Sequence, residues 1–435
     1  MFHTQEEVLQ EAVRCRTVTN GDKKEFEKLH ECFRLNFPCV FEKCETIDVP
    51  GTKALLLKLK GKTSDRPVML TGHMDVVPAG DESLWTHGPF SGENDGTWIW
   101  GRGSFDDKVA VVAALYALES LLEEGFVPGR DMYLGFSDNE EINGKSAPMM
   151  CEILEKRGVK LDMLLDEGGA VMEKVIPGMT KEAAVIGVAE KGIMSLKLTV
   201  KGTGGHSASP SNPESLARLG RALWRAEHTR FPVRWLPCVK QMFRQLSQGV
   251  GGPAAFVFRH NGILSPLMKS VFKRIPKLAS FVRTTCVATM AEGSAACNII
   301  PVQPTAYMNI RILPGDRAED VVERIRRRVN DPKVEFEIAK CRGASTKIAD
   351  GNSQQFALVK EAVLKSRRDA VVAPYLMVAA SDALSYESIC DNILRLSPVK
   401  MNAEELGRMH NYDERISVQN VHDACTFYRD LIKLI

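Results

Sequence analysis

The amino-acid sequence predicts an α/β protein with a doubly wound, mixed but mostly parallel sheet in its larger domain and a smaller α+β domain inserted into that domain. Three observations favour this fold. Strand-like segments alternate with helical ones, the pattern changes after about residue 193, and the first pattern returns near the C-terminus. A chain of 435 residues is also long enough for about two domains. We place the divisions at 1–192, 193–313 and 314–435.

Residues 1–192 contain the first run of alternating strands and helices. Buried strands are indicated by "KALLLKLKG", "PVMLTGHMD" and "DMYLGFSDNEE", which hold short uninterrupted apolar runs. Helices are indicated by "DDKVAVVAALYALESLLEEG" and "SAPMMCEILEKRG", where apolar residues recur at helical spacing. This alternation predicts parallel strands covered by helices on both faces.

The middle of the chain follows a different pattern. The segments "MSLKLTVKG", "ESLARLGRALWRAEH", "TAYMNIRILPGD" and "AEDVVERIRRRVN" predict a separate sheet with helices on one side. Residues 234–285 are rich in Lys, Arg and bulky apolar side chains, and we interpret them as a helical insertion in this second domain. The doubly wound pattern resumes with "QQFALVKEAVLKSR" and "NILRLSPV" and closes with "NVHDACTFYRDLIKLI".

Composition excludes several classes of protein. A formal net charge of +2 with interspersed acids and bases argues against a nucleic-acid binder, so a small-molecule partner is expected. No segment has the roughly 18 uninterrupted apolar residues of a membrane span, and no membrane partner is expected. The N-terminus has acidic residues where a signal peptide needs basic ones. The 11 cysteines form no CxxC pair, which favours reduced thiols and a cytoplasmic location.

Acidic and histidine residues follow several of the predicted strands. Sites in open α/β sheets form at the carboxyl ends of the strands. The residues found there are His73 and Asp75, Asp106 and Asp107, Glu140 and Glu141, and Asp166 and Glu167. Carboxylates converging on one crevice would repel each other unless cations lay among them. Imidazole with carboxylate suits Zn²⁺, with Mn²⁺ or Co²⁺ as substitutes.

Each of these motifs also has a purely structural interpretation. An HxD at a strand end is often a hydrogen-bonded turn, and paired acids such as Asp106 and Asp107 commonly cap a helix. Glu140 and Glu141 would usually be a solvated pair, and "DEGG" could be a turn. The ordered combination of motifs favours the functional interpretation.

That combination resembles a known family. "HMDVVP", "GRGSFDDK", "NEE", "DEGG" and a late histidine in "MHNYDERIS" are similar to motifs of the dinuclear-zinc amidohydrolases and peptidases that include aminoacylase, carnosinase and glutamate carboxypeptidase. The segments "GPFSG", "EKGIMSLKLTVKGTGGHSASP", "RTT" and "NIIP" resemble the carboxypeptidase S and N-fatty-acyl-amino-acid synthase/hydrolase subfamily most. The resemblance covers nearly the whole chain. It implies a catalytic domain, here the larger one, with an inserted lid and dimerisation domain.

The resemblance assigns ligands for two divalent metal ions, zinc being expected. Asp106 would bridge the ions. His73 with either Asp166 or Glu167 would complete one shell, and Glu141 with His410 the other. Asp75 lies two residues from His73 on a strand and therefore points to the same side. It would accept the remaining N–H of the His73 imidazole and so orient the ring.

Glu140 is then expected to be the general base. It would take a proton from a water shared by the two ions as that water attacks an amide carbonyl, and then pass the proton to the leaving amine. The chain departs from the family here, because the usual Asp-Glu-Glu triplet is replaced by Asn139, Glu140 and Glu141. This departure keeps open a catalytically silent, metal-binding homologue.

The resemblance assigns further roles in the lid domain and near its junction. His206, in "GTGGHSASP", would donate to the developing oxyanion in the partner subunit of a homodimer. Asn298 would contact the carbonyl, and Arg311 would hold the substrate carboxylate, which suits a guanidinium fork. Ser381 lies in a loop expected beside that carboxylate. A surface turn at His206 and a surface salt bridge at Arg311 are the structural alternatives.

Three functions follow from these residues. The first is a hydrolase that cuts the amide of an N-acyl amino acid or small peptide with a free carboxylate, a reaction that can also run backward as condensation. The second is a dipeptidase or carboxypeptidase acting on polar substrates, and the third is the silent homologue. Bulky apolar residues at 234–285 favour acyl chains of medium or greater length, since each buried CH₂ contributes about 0.8 kcal/mol.

Overall fold

The computed structural model describes residues 3–173, 176, 178–210 and 214–435, and all statements on structure refer to these residues. The first part of the chain builds most of a large sheet and its covering helices. Its elements are α1 Gln5–Arg14, α2 Lys23–Asn36, α3 Pro38–Lys43, β1 Cys44–Ile47, β2 Leu55–Leu59, β3 Val68–His73, β4 Glu93–Asn94, β5 Trp98–Trp100, α4 Lys108–Glu123, β6 Met132–Ser137, α5 Ser146–Lys156, β7 Met163–Asp166, β8 Ala170–Met172 and β9 Ala183–Glu190.

The remaining elements form a smaller sheet and then return to the large one. In the middle of the chain they are β10 Gly192–Val200, β11 Gly205–His206, α6 Ser215–Glu227, α7 Pro237–Leu246, α8 Gly252–Arg259, α9 Ser265–Phe272, α10 Pro276–Ala279, β12 Thr285–Glu292, β13 Ile299–Ile300, β14 Thr305–Ile312, α11 Ala318–Val329 and β15 Val334–Arg342. After them come α12 Gln354–Ser366, β16 Val371–Met377, β17 Ile393–Arg395, β18 Lys400–Met401, α13 Ala403–Arg408, β19 Arg415–Ser417 and α14 Val418–Leu434.

The large sheet has the order β1-β2-β6-β3-β7-β17-β9-β8-β18, with β16 also paired to β9. Its centre is parallel, since β3 pairs in parallel with both β6 and β7, and β17 continues in parallel from β7. Antiparallel pairs occur toward the edges, for example between β1 and β2 and between β8 and β9. The predicted mixed, mostly parallel sheet is therefore confirmed.

Helices cover both faces of the large sheet. Apolar residues of α1, α4 and α14 belong to one core cluster with the strands, and those of α5 belong to a second cluster. Because β3, β6 and β7 are parallel and adjacent, their carboxyl ends meet at one edge of the sheet. This edge is where the acidic motifs of the sequence come together.

The smaller sheet has the order β12-β14-β10-β15 and is antiparallel throughout. Helices α6 and α11 cover one of its faces and share a separate core with it. This sheet extends beyond the division placed at residue 313, because β15 pairs with β10 as far as Arg342. The segment "VEFEIAKCR" alternates charged and apolar residues on a half-exposed strand, a weak signal that the sequence analysis did not identify as β15.

The helical insertion differs from its predicted placement. Helix α7 packs against β16 of the large sheet. Inside the core of the larger domain, Trp235 stacks on Phe243, and Phe272 contacts both rings edge to face. The insertion therefore belongs with the larger domain and not with the smaller one. Helical periodicity showed that these residues have a buried face, but it carries no information on which sheet that face meets.

None of the helices in the described ranges combines the length and the apolar character needed to cross a bilayer.

Candidate metal centre and active site

His73 is the last residue of β3, and Asp75 comes two positions later. Both therefore lie at the edge of the large sheet where its parallel strands end. Both are buried, with 1% and 0% of their surface exposed. The Nδ1 atom of His73 lies 2.9 Å from the carbonyl oxygen of Asp75 and 3.6 Å from its carboxylate. Because a carbonyl oxygen only accepts, Nδ1 carries a proton, and in the neutral ring Nε2 keeps its lone pair. The nearer contact of the ring is thus with the backbone carbonyl of Asp75 and not, as the sequence predicts, with its carboxylate.

The Asp75 carboxylate has a different task. It accepts the backbone N–H of Glu140 at 3.0 Å and that of Glu141 at 3.3 Å, and the hydroxyl of Thr19 at 2.7 Å. These hydrogen bonds fix the one-turn 3₁₀ helix Glu140–Ile142 that follows β6. Asp75 therefore links the histidine of one strand to the two glutamates of the next.

Asp106 lies between two histidines. Its Oδ1 is 3.0 Å from His73 Nε2, and its Oδ2 is 3.1 Å from His410 Nε2. Burial alone would raise the pKa of Asp106, but the contacts with His410 and His73 hold it below its usual range. One carboxylate with an imidazole on each oxygen has the arrangement of a bridging ligand. Its neighbour Asp107 precedes α4 without capping it by a side-chain hydrogen bond, so the helix-cap interpretation does not hold there.

His410 and Glu141 complete this side of the cluster. His410 Nε2 lies 3.2 Å from Glu141 Oε2, and hydrogen bonds to Asp106 and Glu141 raise the pKa of His410 to about 10. One ligand atom each from His73, Asp106 and Glu141 can be chosen so that all lie within 4.8 Å of one another. The structure therefore brings together four of the six predicted metal ligands, from four separate segments of the chain.

The two remaining candidates lie at the carboxyl end of β7, Asp166 as its last residue and Glu167 directly after it. Asp166 is buried, and its Oδ2 accepts the Ala383 N–H at 2.8 Å, while its Oδ1 has no hydrogen-bond partner among the described residues. Glu167 is half-buried; burial, with Asp106 as the foremost neighbouring charge, raises its pKa well above the usual value. Both carboxyls thus face the cluster, and both remain candidates.

The clustered carboxylates of this centre favour the binding of cations. Burial raises the pKa of Asp107, Glu140 and Glu167 well above their usual values, and neighbouring carboxylates raise it further. The unpaired Oδ1 of Asp166 is a buried acceptor of the kind that a metal ion satisfies. Imidazole nitrogens with carboxylate oxygens form the donor set of Zn²⁺ and related ions. The residues therefore fit divalent metal binding.

Asn139 lies between β6 and α5 and contacts the start of that helix. Its Oδ1 accepts the backbone N–H of Ser146 at 3.2 Å, at the start of α5. The acid one position earlier, Asp138, accepts the Ser146 hydroxyl and the backbone N–H of Lys53. The backbone N–H groups of Glu140 and Glu141 are held by the Asp75 carboxylate and not by Asn139.

Sequence reasoning missed a buried ion pair behind the centre. Arg102 and Glu414 are 2% and 1% exposed and form a salt bridge. The Oε1 of Glu414 also accepts the backbone N–H groups of Gly103, Phe105 and Asp106 at 2.9, 3.1 and 3.2 Å. Glu414 thus ties the loop of His410 to the turn that carries Asp106. The quoted motifs "GRGSFDDK" and "MHNYDERIS" contained both residues, but nothing in their spacing pairs them.

The predicted residues of the smaller domain lie apart from this cluster. His206 is exposed on β11, whose partner β13 follows Asn298, and the backbone N–H of Ala208 donates to His206 Nδ1 at 3.0 Å. In the neutral ring Nε2 therefore carries the proton and is an outward donor. Within the described ranges, no hydrogen bond or ion pair joins His206, Asn298 or Arg311 to the carboxylates of the centre.

Arg311 and Ser381 differ in their availability to a ligand. The guanidinium of Arg311, on β14, forms no hydrogen bond or ion pair with described residues, and burial lowers its pKa. Ser381 is fully buried, and its hydroxyl donates to Glu190 at 3.1 Å beside Arg395. Its side chain is therefore already used within the fold, a pairing that the motif "ASDALSY" did not reveal.

Comparison with known proteins places these features in one family. A family model described as "Peptidase family M20/M25/M40" matches residues 69–434. The chain is 32% identical over 436 residues to a probable carboxypeptidase S-like 2 of Dictyostelium discoideum, covering 98% of this chain and 84% of that one. It is 31% identical over 440 residues to the human N-fatty-acyl-amino acid synthase/hydrolase PM20D1, covering 98% and 87%. Among solved structures, an M20 family metallo-carboxypeptidase from Sulfolobus solfataricus superposes with a TM-score of 0.72 at 17% identity, covering 100% of this chain and 99% of that one.

Proposed function

Since the chain belongs to the M20/M25/M40 peptidase family of metal-dependent hydrolases, we propose that it cleaves the amide bond of N-acyl amino acids with a free carboxylate. The observation that carries this proposal is the Asp106 carboxylate with a histidine on each oxygen, near the carboxyl of Glu140. The substrate class is taken from the human relative, an N-fatty-acyl-amino acid synthase/hydrolase.

Two divalent ions, with zinc the first candidate, would be held by His73, Asp106, Glu141 and His410, together with either Asp166 or Glu167. When bound, the ions supply Lewis-acid polarisation of the amide carbonyl and lower the pKa of water at the centre. Metal content of Asp166→Asn and Glu167→Gln would separate the two candidates, because only replacement of the ligand should weaken binding strongly.

Glu140 is the general base of the proposed reaction. Its carboxylate takes a proton from the attacking water as the C–O bond forms, and passes that proton to the amide nitrogen as the C–N bond breaks. Burial among neighbouring acids raises the pKa of Glu140 in the metal-free chain. Bound cations would counteract that rise, which keeps the carboxylate available as a base. The hydrogen bond from Glu140 N–H to Asp75 keeps this residue beside the ligands.

Substrate contacts are assigned to residues of the smaller domain. Arg311 has no partner in the described part of the chain and is partly desolvated, so it is available to a carboxylate as a charge-assisted, bidentate donor. His206 presents an Nε2–H that suits a developing oxyanion, and Asn298 lies next to it across β11 and β13. Because His206 is exposed and forms no hydrogen bond or ion pair with the centre within the described ranges, we assign its role to the partner subunit of a homodimer.

A carboxypeptidase acting on small peptides is the second candidate. It is favoured by the name of the Dictyostelium relative, and the same general base and carboxylate-binding Arg311 would serve it. The insertion supports the fatty-acyl substrate less than the sequence suggested. Trp235, Met242, Phe243, Met268 and Phe272 are buried in the insertion's packing against the larger domain and cannot all line an acyl site.

The substrate is tested by kcat/KM for a series of N-acyl amino acids with one amino acid held constant. We expect kcat/KM to rise as the acyl chain lengthens from acetyl to medium and long chains, because each added CH₂ that is buried contributes up to about 0.8 kcal/mol. A flat or falling trend, with dipeptides cleaved faster, would assign the protein to the carboxypeptidase or dipeptidase function instead.

The location we propose is a reducing compartment such as the cytoplasm. All eleven cysteines are free thiols in the structure, and two of them, Cys297 and Cys341, are exposed. Exposed thiols persist in reducing compartments. Fractionation of the cells that make the protein, with thiol labelling of the recovered chain, tests this proposal.

A further inference from the structure

The helical insertion has a surface that the proposed function does not use. We infer that the exposed face of α9 and its flanking turns binds the surface of an anionic lipid bilayer. The apolar residues of this face recur every four positions: Ile263, Leu267, Val271 and Ile275, which are 84%, 57%, 42% and 43% exposed. We call these four residues the α9 stripe. The binding is independent of which amide the active site cleaves.

The α9 stripe is separate from the face of α9 that packs into the core. Helix α9 already has a buried face, on which Met268 and Phe272 are 3% and 4% exposed and pack into the aromatic cluster around Phe243. The helix is therefore apolar on two faces, while only one of them is covered. Phe256 on the neighbouring α8 is a further bulky residue with 61% exposure. An apolar surface of this kind indicates a binding partner.

Charge identifies the partner. From residue 228 to residue 291 the sequence has ten Lys or Arg and not one Asp or Glu, although the whole chain has 57 and 55 of them. Around the stripe, Arg259, Lys273 and Arg274 are exposed and Lys269 is half-buried. None of these four cations forms a hydrogen bond or ion pair with another described residue.

This surface consists of apolar side chains bordered by Lys and Arg side chains. An anionic membrane surface offers matching groups, namely acyl chains below and charged headgroups above. The apolar residues enter the boundary between headgroups and acyl chains, and the Lys and Arg side chains reach the phosphate and carboxylate groups above them. A partner protein or a second copy of this chain would have to offer a dense acidic rim. The whole chain is close to neutral, with net charge +2, and most of its acids are distributed among bases.

Flotation of the full chain with lipid vesicles tests this inference. We expect binding to phosphatidylcholine vesicles that contain about one third phosphatidylserine, little binding to pure phosphatidylcholine, and weaker binding as salt is added. Ile263→Ser with Leu267→Ser, and separately Lys273→Glu with Arg274→Glu, should each lower the bound fraction at least tenfold.

Matched variants elsewhere on the surface control for general effects. Leu35→Ser with Val127→Ser removes two equally exposed apolar residues, and Lys23→Glu with Lys24→Glu reverses two adjacent exposed cations. These variants should bind vesicles like the wild type, and all variants should hydrolyse a short, water-soluble N-acyl amino acid at the wild-type rate. Absence of binding to phosphatidylserine vesicles, or equal loss in the control variants, would overturn the inference. A change in oligomeric state by light scattering in the stripe variant without any vesicle binding would overturn it in favour of a contact between two copies of the chain.

Discussion

At the residue scale, Asp75 shows how one side chain connects two strands. Its backbone carbonyl positions His73, and its carboxylate holds the turn of Glu140 and Glu141. The spacing of the HxD motif predicted that His73 and Asp75 act together. The spacing could not predict whether the carbonyl or the carboxylate of Asp75 contacts the imidazole. That choice depends on the end of β6, where the N–H groups of Glu140 and Glu141 take up the carboxylate.

The role of Glu140 is tested by Glu140→Gln. The amide keeps the size of the side chain but cannot take a proton from water, so kcat should fall by about two orders of magnitude or more. Metal content should stay at the wild-type level, because Glu140 is not among the expected ligands. Activity within a few-fold of the wild type would mean that the proton travels through another group.

Glu414 is expected to be a positioning residue, tested by Glu414→Gln. Breaking a buried ion pair leaves the Arg102 charge uncompensated, which typically costs about 3–5 kcal/mol of the free energy of unfolding. The Asp106 turn should also loosen, so the metal dissociation constant should rise while the pH profile of kcat stays unchanged. Chemical denaturation and metal titration measure these effects.

The matched control is Glu404→Gln, a nearby glutamate that pairs with Arg408 and Arg415 on the surface. Its loss should change the free energy of unfolding and the metal affinity little, because exposed ion pairs contribute little to stability. Equal effects of the two substitutions would show that Glu414 has no special part in holding the centre.

At the element scale, the strands of the large sheet determine which motifs meet. Buried parallel strands were recognisable from short apolar runs such as "PVML", and their carboxyl ends therefore indicated the site. The contact of His410 with Asp106 was predictable only through resemblance, since the two residues are 304 positions apart. Strand β15 was not identified, because its alternation of charged and apolar residues is a weak signal. The sheet covered by α7 was not identified, because helical periodicity does not specify a packing partner.

The smaller sheet ends in an exposed edge that fits assembly into a homodimer. On β12, Val287 and Met290 are 54% and 55% exposed, and this strand pairs only with β14 in the described part of the chain. An apolar edge strand is a surface that pairs readily with a second copy. The role proposed for His206 requires a homodimer.

Mixing two inactive variants tests the contribution of His206 across the dimer. If chains carrying Glu140→Gln and His206→Ala exchange subunits freely, about half of the dimers are mixed, and each of these has one intact site. Activity should therefore recover to about a quarter of the wild-type value per chain. Without recovery despite exchange demonstrated by mass, His206 would act within its own chain or outside the reaction.

At the scale of the whole molecule, the chain divides its tasks between two sheets. The large sheet and the insertion packed on it hold the buried acidic centre, and the smaller sheet carries the exposed donor His206 and the unpaired Arg311. The alternation of strands and helices predicted two sheets. The boundary placed at residue 313 was too early, because β15 has only a weak strand pattern and was not recognised as part of the smaller sheet. Cleavage of a substrate that touches both domains would require the two groups of residues to approach each other.

We expect hydrolysis to depend on two metal ions held at this centre. The most direct measurement is titration of chelator-treated protein with Zn²⁺ while bound metal and hydrolysis of an N-acyl amino acid are followed together. We expect about two ions per chain, with activity absent before metal is added and maximal at saturation. Asp106→Ala should lose both ions, while Asp65→Ala, a control at an exposed acid, should bind like the wild type. Saturation at a single ion or undiminished activity in chelator would show that hydrolysis does not depend on two ions. Two ions retained by Asp106→Ala would show that Asp106 does not bridge them.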